Sequence, residues 1–258
     1  MNKKNFVPLI SKNDKKIVLD LINEYQIEIK NLYIQIGNKE YISGIFGDKD
    51  DDVNNYFKYN HFIESINDLS QKTKISIEKC LTAYQKVDSE KFNPMTNNLS
   101  NYEKKAYYYM ENALFREIIL WESLAQLYNV YFCLKINIER VNYKKIIDIL
   151  SKRNEKIINF KKISMYINEK YDIKKPVLDE GIHDCVCQLR NQMTHRYSIA
   201  ITSMSENINL RAMPDSIYKI AKDYNMVQKH LVEIINIIIS SSYMYIDVSF
   251  DDTLSTMK

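Results

Sequence analysis

Apolar residues recur every three or four positions through most of this chain, the spacing that lines one face of an α-helix. Ile17, Val18, Leu21, Ile22, Tyr25, Ile29, Leu32 and Tyr33 form the first such stripe, predicting a helix from Ser11 or Asn13 to just before Gly37. Between Gly37 and Asp52 the pattern stops. Glycines and an acidic cluster fall there, so a loop is expected, with a short extended piece at Tyr41 and Ile42. A second helix is predicted from Val53 to Lys86, presenting Phe57, Phe62, Ile66, Leu69, Ile77, Leu81 and Tyr84 to a core.

The segment from Phe92 to Leu99, with Pro94 and three asparagines, is the clearest break. It divides an N-terminal helical extension (1–93) from a helical core (94–258), although such a turn also suits the helices of one continuous domain. Ser100-Asn101-Tyr102-Glu103 has the form of a capping box, in which each side chain satisfies the other residue's free backbone donor. A long third helix should start there and carry Leu114, Ile118, Trp121, Leu124, Ala125, Tyr128, Tyr131 and Phe132 inward.

Two shorter amphipathic segments follow, from Tyr143 to Leu150 and from Glu155 to Tyr171. Pro176 ends this region, and Asp179 is expected to open the next helix. Residues 200–213 have weak periodicity and read as a crossover loop, long enough to act as a lid or to reach a partner. Pro214 and Asp215 then introduce a final helix running to about Tyr245. The chain is therefore expected to be an all-α, multi-helix bundle.

Composition narrows the picture. At 258 residues and 45% apolar, the chain can bury a substantial core, which excludes a disordered polypeptide. A formal charge of +3 is only mildly basic and neither supports nor excludes a nucleic-acid partner. The apolar run from Leu231 to Val248 is interrupted by Glu233, Asn236, three serines and Asp247, which suits a core helix better than a membrane span. The first residues lack a secretory pattern, predicting a cytoplasmic address. Cys80, Cys133, Cys185 and Cys187 lack paired metal-ligand spacing and are expected as buried thiols. Neither a metal nor a cofactor is expected, and His61, His183 and His230 are read as structural.

The candidate chemistry lies in Arg190-Asn191-Gln192-Met193-Thr194-His195. A guanidinium can hold and neutralise a phosphate, and an imidazole titrates near neutral pH, so the pair suits phosphodiester chemistry. On a helix Asn191 and His195 share one side, while Arg190 lies about 140° round from His195. One copy therefore fits a single phosphate poorly, unless the long arginine swings round or the two groups meet those of a second molecule across a symmetric interface. The best candidates for contacts to a phosphate backbone are the basic residues of the preceding segments, Lys144, Lys145, Lys152, Arg153 and Lys156. The competing view is that these lysines solvate an ordinary helical surface. Similarly, His195 and Arg196 are placed to satisfy the last carbonyls of a helix and complement its dipole.

The order of arginine, polar residue, short gap and histidine on a late helix resembles the signature of the HEPN superfamily of helical nucleic-acid-processing domains. Arg190, Asn191 and His195 match its three positions; elsewhere the likeness is only that of an all-helical chain. The resemblance implies a metal-independent endoribonuclease in which two motif helices pair across a homodimer into a composite groove. His195 would act as general base or acid, Arg190 would stabilise charge on the phosphate, and Asn191 would orient the phosphate or the histidine. It also implies an RNA substrate, an antitoxin or other regulatory protein, and a setting in phage defence or RNA processing. A noncatalytic HEPN-like module that binds a nucleotide, RNA or protein remains the alternative, as does a structural helical interaction protein.

Overall fold

Ser11 caps the first helix by accepting a hydrogen bond from the Asp14 amide, so α1 runs over Lys12–Asn23. In the computed structural model, described over residues 7–27, 33–36, 39–42, 52–91, 99–153, 156–172, 179–195 and 214–249, this helix is the first of seven. For residues 33–36, 39–42, 52–60, 192–195, 214 and 241–249 the description covers the backbone alone. Val18 and Ile22 of α1 are buried, whereas Ile17, another member of the predicted stripe, is 42% exposed.

α1 is shorter than its periodicity predicts. Tyr33–Ile36 forms a strand, β1, paired antiparallel with β2 (Lys39–Ile42), with Tyr33 opposite Ile42 and Ile36 opposite Lys39. Ile34 and Ile36 put β-branched residues at alternate positions, and Gly37-Asn38 between the strands is a pair that favours a two-residue hairpin. A helix-like spacing thus overlapped a strand-like one, and the local residue types favoured the strand.

The other long elements among the described residues are helices. α2 (Asp52–Tyr84) packs along α3 (Asn101–Tyr131), and the capping box at the start of α3 is formed: Glu103 N donates to Ser100 Oγ, and Ser100 N donates to a Glu103 carboxyl oxygen. The N-terminal segment is tied to the end of α2 by hydrogen bonds between Leu9 N and the Val87 carbonyl and between Ser89 N and the Val7 carbonyl. Residues 92–98 of the predicted break and all of the predicted crossover, 200–213, lie outside the described residues.

α4 (Tyr143–Lys152) and α5 (Phe160–Asn168) are capped by Asn142 and Asn159. α6 (Ile182–His195) carries the Arg/His motif, and α7 (Pro214–Ser249) runs against α1, α2, α3 and α6. The molecule is an all-α multi-helix bundle with one small hairpin. Trp121, Tyr128, Tyr224, Leu81 and Leu231 belong to a single buried cluster that draws on all the helices. None of the described helices is long and apolar enough to cross a membrane.

Candidate functional site

α6 begins at Ile182, three residues later than Asp179. Gly181 has φ +56°, a left-handed conformation no helix interior can contain, and a Cβ there would overlap the backbone of Lys170 and Tyr171. Asp179 instead accepts from Tyr218 Oη of α7 at 3.1 Å and pairs with Lys222. The first turn of α6 is held by Asp184, which accepts from Lys170 Nζ, the Tyr171 amide and Gln188 Nε2. Burial of Asp184 raises its carboxyl, these three donors lower it, and the net position is below the usual carboxylate range.

Inside this frame lies a buried polar network. His183 Nδ1 is 3.1 Å from both carboxyl oxygens of Asp223 on α7. Asp223 also accepts from Trp121 Nε1 of α3 at 3.0 Å and from Tyr166 Oη of α5 at 2.8 Å. The other imidazole nitrogen, Nε2, lies 2.8 Å from Tyr143 Oη of α4 and 3.4 Å from Cys187 Sγ, one turn further along α6. Trp121 packs edge-on against the imidazole at 5.1 Å between centroids. Five helices therefore converge on one histidine and one aspartate, both wholly inaccessible to solvent.

Two charges in such a place cost several kcal/mol each in lost hydration unless paired and hydrogen-bonded, and here they are both. Burial lowers the His183 pKa, but the Asp223 charge and hydrogen bond outweigh it, raising it to about 10. Burial raises the Asp223 carboxyl, yet His183, then Tyr166 and Glu117, hold it below the usual range. Glu117 is the counter-example. Wholly buried beside Asp223, it is pushed far above the usual range by burial first and then by the Asp223 charge and hydrogen bond. Burial and the Asp223 charge both favour its protonated form.

The distal end of α6 has a different character. Arg190 is partly exposed and Asn191 exposed, and His195 is the last residue of the helix, its side chain outside the described part. The Arg190 charge acts on Glu122 of α3, which also accepts from the Tyr143 amide at 3.2 Å. Burial raises the Glu122 carboxyl, while the Tyr143 amide and Arg190 pull it part of the way back.

The predicted basic residues divide between the two ends of α4. Lys144 lies at the N-terminal end, its Nζ 5.9 Å from the Tyr143 ring centre, and Lys145 is exposed beside it. Lys152, about 12 Å further along the axis at 1.5 Å per residue, pairs with Asp148 at 2.7 Å. Arg153 follows as the exposed C-cap, and Lys156 lines a hollow of about 290 Å³ with Lys161, Asn159 and Phe160. The structure brings Lys144 close to the residues around α6 and sets Lys152, Arg153 and Lys156 at the α4–α5 connection.

Sequence reading left several residues of this region without a role. His183 and Cys187 were separable from background by their four-residue spacing, and Asp223 by its place within the apolar run Ile220, Ala221, Tyr224 and Val227. The expectation of buried thiols holds for Cys80 and Cys185; Cys187 is partly exposed and Cys133 exposed. Cys133 takes φ 49° just beyond α3, where the chain leaves the helix and turns outward. Among the described residues there is no group of three or more His, Cys, Asp and Glu side chains arranged to hold a metal ion. Comparison with protein-family models, with curated proteins and with solved structures found no match.

Proposed function

We propose that the chain is a HEPN-like, metal-independent endoribonuclease whose site is the distal half of α6. One observation carries the reading: Arg190 and Asn191 reach the surface on a helix whose other half is clamped by the His183–Asp223 network, and His195 closes that same helix. A rigid base beneath solvent-facing polar groups is what positioning a phosphodiester requires. In this mechanism His195 takes the 2′-hydroxyl proton or protonates the leaving oxygen, and Arg190 stabilises negative charge on the phosphorane. Asn191 orients the phosphate or the imidazole.

The angular offset between Arg190 and His195 calls for two copies, so that the arginine of one serves the histidine of the other. Phe115 and Ile119, 45% and 50% exposed on the face of α3 that leads to Glu122, supply apolar surface for such a pairing. Attack by the 2′-hydroxyl leaves a 2′,3′-cyclic phosphate and a 5′-hydroxyl. The test is therefore end analysis of cleaved single-stranded RNA together with a substrate carrying 2′-deoxy residues; 5′-phosphate ends, or unchanged cleavage of the deoxy substrate, would rule the mechanism out.

A noncatalytic binding module is the second reading, and the Glu122 carboxylate favours it. The Arg190 charge acts on this nearby acid, which offsets part of it before any phosphate arrives. Under this reading RNA or nucleotide binds without being cut, and substitution of Arg190 changes affinity alone.

A further inference from the structure

The cysteine on α6 that faces His183 packs against the hydrophobic core yet stays partly exposed. We propose that Cys187 is a nucleophilic thiol, activated by His183 and Asp223, and a site of oxidation by hydroperoxides. The inference does not depend on ribonuclease activity.

The geometry has the three parts that thiol activation needs: a nucleophile within reach of a base, a base oriented by a third group, and access from solvent. Cys187 Sγ lies 3.4 Å from His183 Nε2, with the two residues one turn apart on α6. Asp223 fixes the opposite ring nitrogen, so Nε2 is the one that faces both Tyr143 Oη at 2.8 Å and the sulfur. Tyr143 Oη, 3.6 Å from Sγ, adds a second donor from α4. Cys187 is partly exposed, whereas His183 and Asp223 behind it are sealed.

Charged and titratable groups face this thiol from every neighbouring helix. On α6 there is His183 itself; α3 contributes Glu117; α4 contributes Tyr143; α5 contributes Tyr166 through Asp223; and α7 contributes Asp223. Burial and Asp223 raise the Cys187 thiol, but the His183 hydrogen bond and charge, with the Tyr143 hydrogen bond, outweigh them and lower it. Cys185, two residues earlier and about 200° round the helix, is raised by burial, and Cys80 is raised further for the same reason.

The chemistry balances with the peroxide as the only co-reactant. The Cys187 thiolate attacks one peroxide oxygen, an S–O bond forms and the O–O bond breaks. Sulfur loses two electrons to the peroxide, giving a sulfenic acid and hydroxide, and the hydroxide takes the His183 Nε2 proton and leaves as water.

Site-resolved mass spectrometry of the full-length native chain tests this, with the exposed Cys133 as internal reference. Iodoacetamide labelling rates are measured from pH 5 to 9.5, and dimedone traps sulfenic acid after a hydrogen peroxide pulse. Cys187 should alkylate about tenfold faster than Cys133 at pH 6, its greater thiolate fraction outweighing its lower intrinsic nucleophilicity. Its rate profile should have a lower pH midpoint, and dimedone should mark it first. Tyr143→Phe should move the midpoint upward; His183→Gln should do so more strongly, and Tyr143→Phe carries the test if the histidine variant does not fold. Slower labelling of Cys187 than of Cys133 at every pH, a shared midpoint, or first trapping at Cys133 would overturn the proposal.

Discussion

His183 Nδ1 and the two carboxyl oxygens of Asp223 stand 3.1 Å apart in the centre of the bundle, joining α6 to α7 where neither residue touches solvent. Asp223 also receives Trp121 from α3 and Tyr166 from α5, so a single carboxylate ties the motif helix to the rest of the fold.

Removing that carboxylate leaves a buried imidazolium, an indole N–H and a phenol without their acceptor. Asp223→Ala should destabilise the protein by roughly 3–5 kcal/mol, the range found when one partner of a buried pair is deleted. Glu117→Gln, at an acid of similar size whose protonated form burial favours, should cost less than about 1 kcal/mol. Urea denaturation of the two variants checks both, and equal losses would contradict the charge assignment.

The pH dependence follows from the same network. His183 is raised to about 10, so alone it would contribute stability in full below about pH 6.5, lost as pH rises through its folded value. Cys187 is lowered, so its contribution is present in full above its unfolded value of 9.0 and lost as pH falls through the folded one. Where the two windows overlap, the proton count of the folded state relative to the unfolded is nearly unchanged, and the wild-type curve should be flat. Cys187→Ser removes the compensation. Its stability should fall between pH 7 and pH 9 at up to about 1.4 kcal/mol per pH unit, and parallel curves for the two proteins would contradict the coupling.

Gly181→Ala tests how α6 is launched. The left-handed backbone and the overlap with Lys170 and Tyr171 predict a loss of at least about 1 kcal/mol in thermal or chemical denaturation. At the start of α3, Ser100→Ala should cost about 1 kcal/mol through the lost cap.

What the sequence disclosed depended on how local its determinants were. The α3 start was readable because Ser100 and Glu103 form a reciprocal bond within four residues. Of the hairpin, the extended piece at Tyr41 and Ile42 was readable and lies in β2, but β1 was not, because Leu32 and Tyr33 continue the helical spacing of α1 while Ile34 and Ile36 begin a strand alternation. At the candidate site, Arg190, Asn191 and His195 were visible as a short motif on one helix. The His183–Asp223 pair joins residues 40 positions apart, and no local pattern announces which buried acid meets which histidine. Cys187 was seen as one of four thiols, but its neighbours Tyr143 and Asp223 come from other helices.

The most direct measurement incubates the purified protein with mixed-sequence single-stranded RNA in excess chelator, beside Arg190→Ala and His195→Ala variants shown by circular dichroism to be folded. The account predicts cleavage by the wild type and a loss of at least about a hundredfold in each variant, the scale of general acid–base and electrostatic contributions. Cleavage that persists in both folded variants, or a wild-type protein that binds the RNA and leaves it intact, would contradict it.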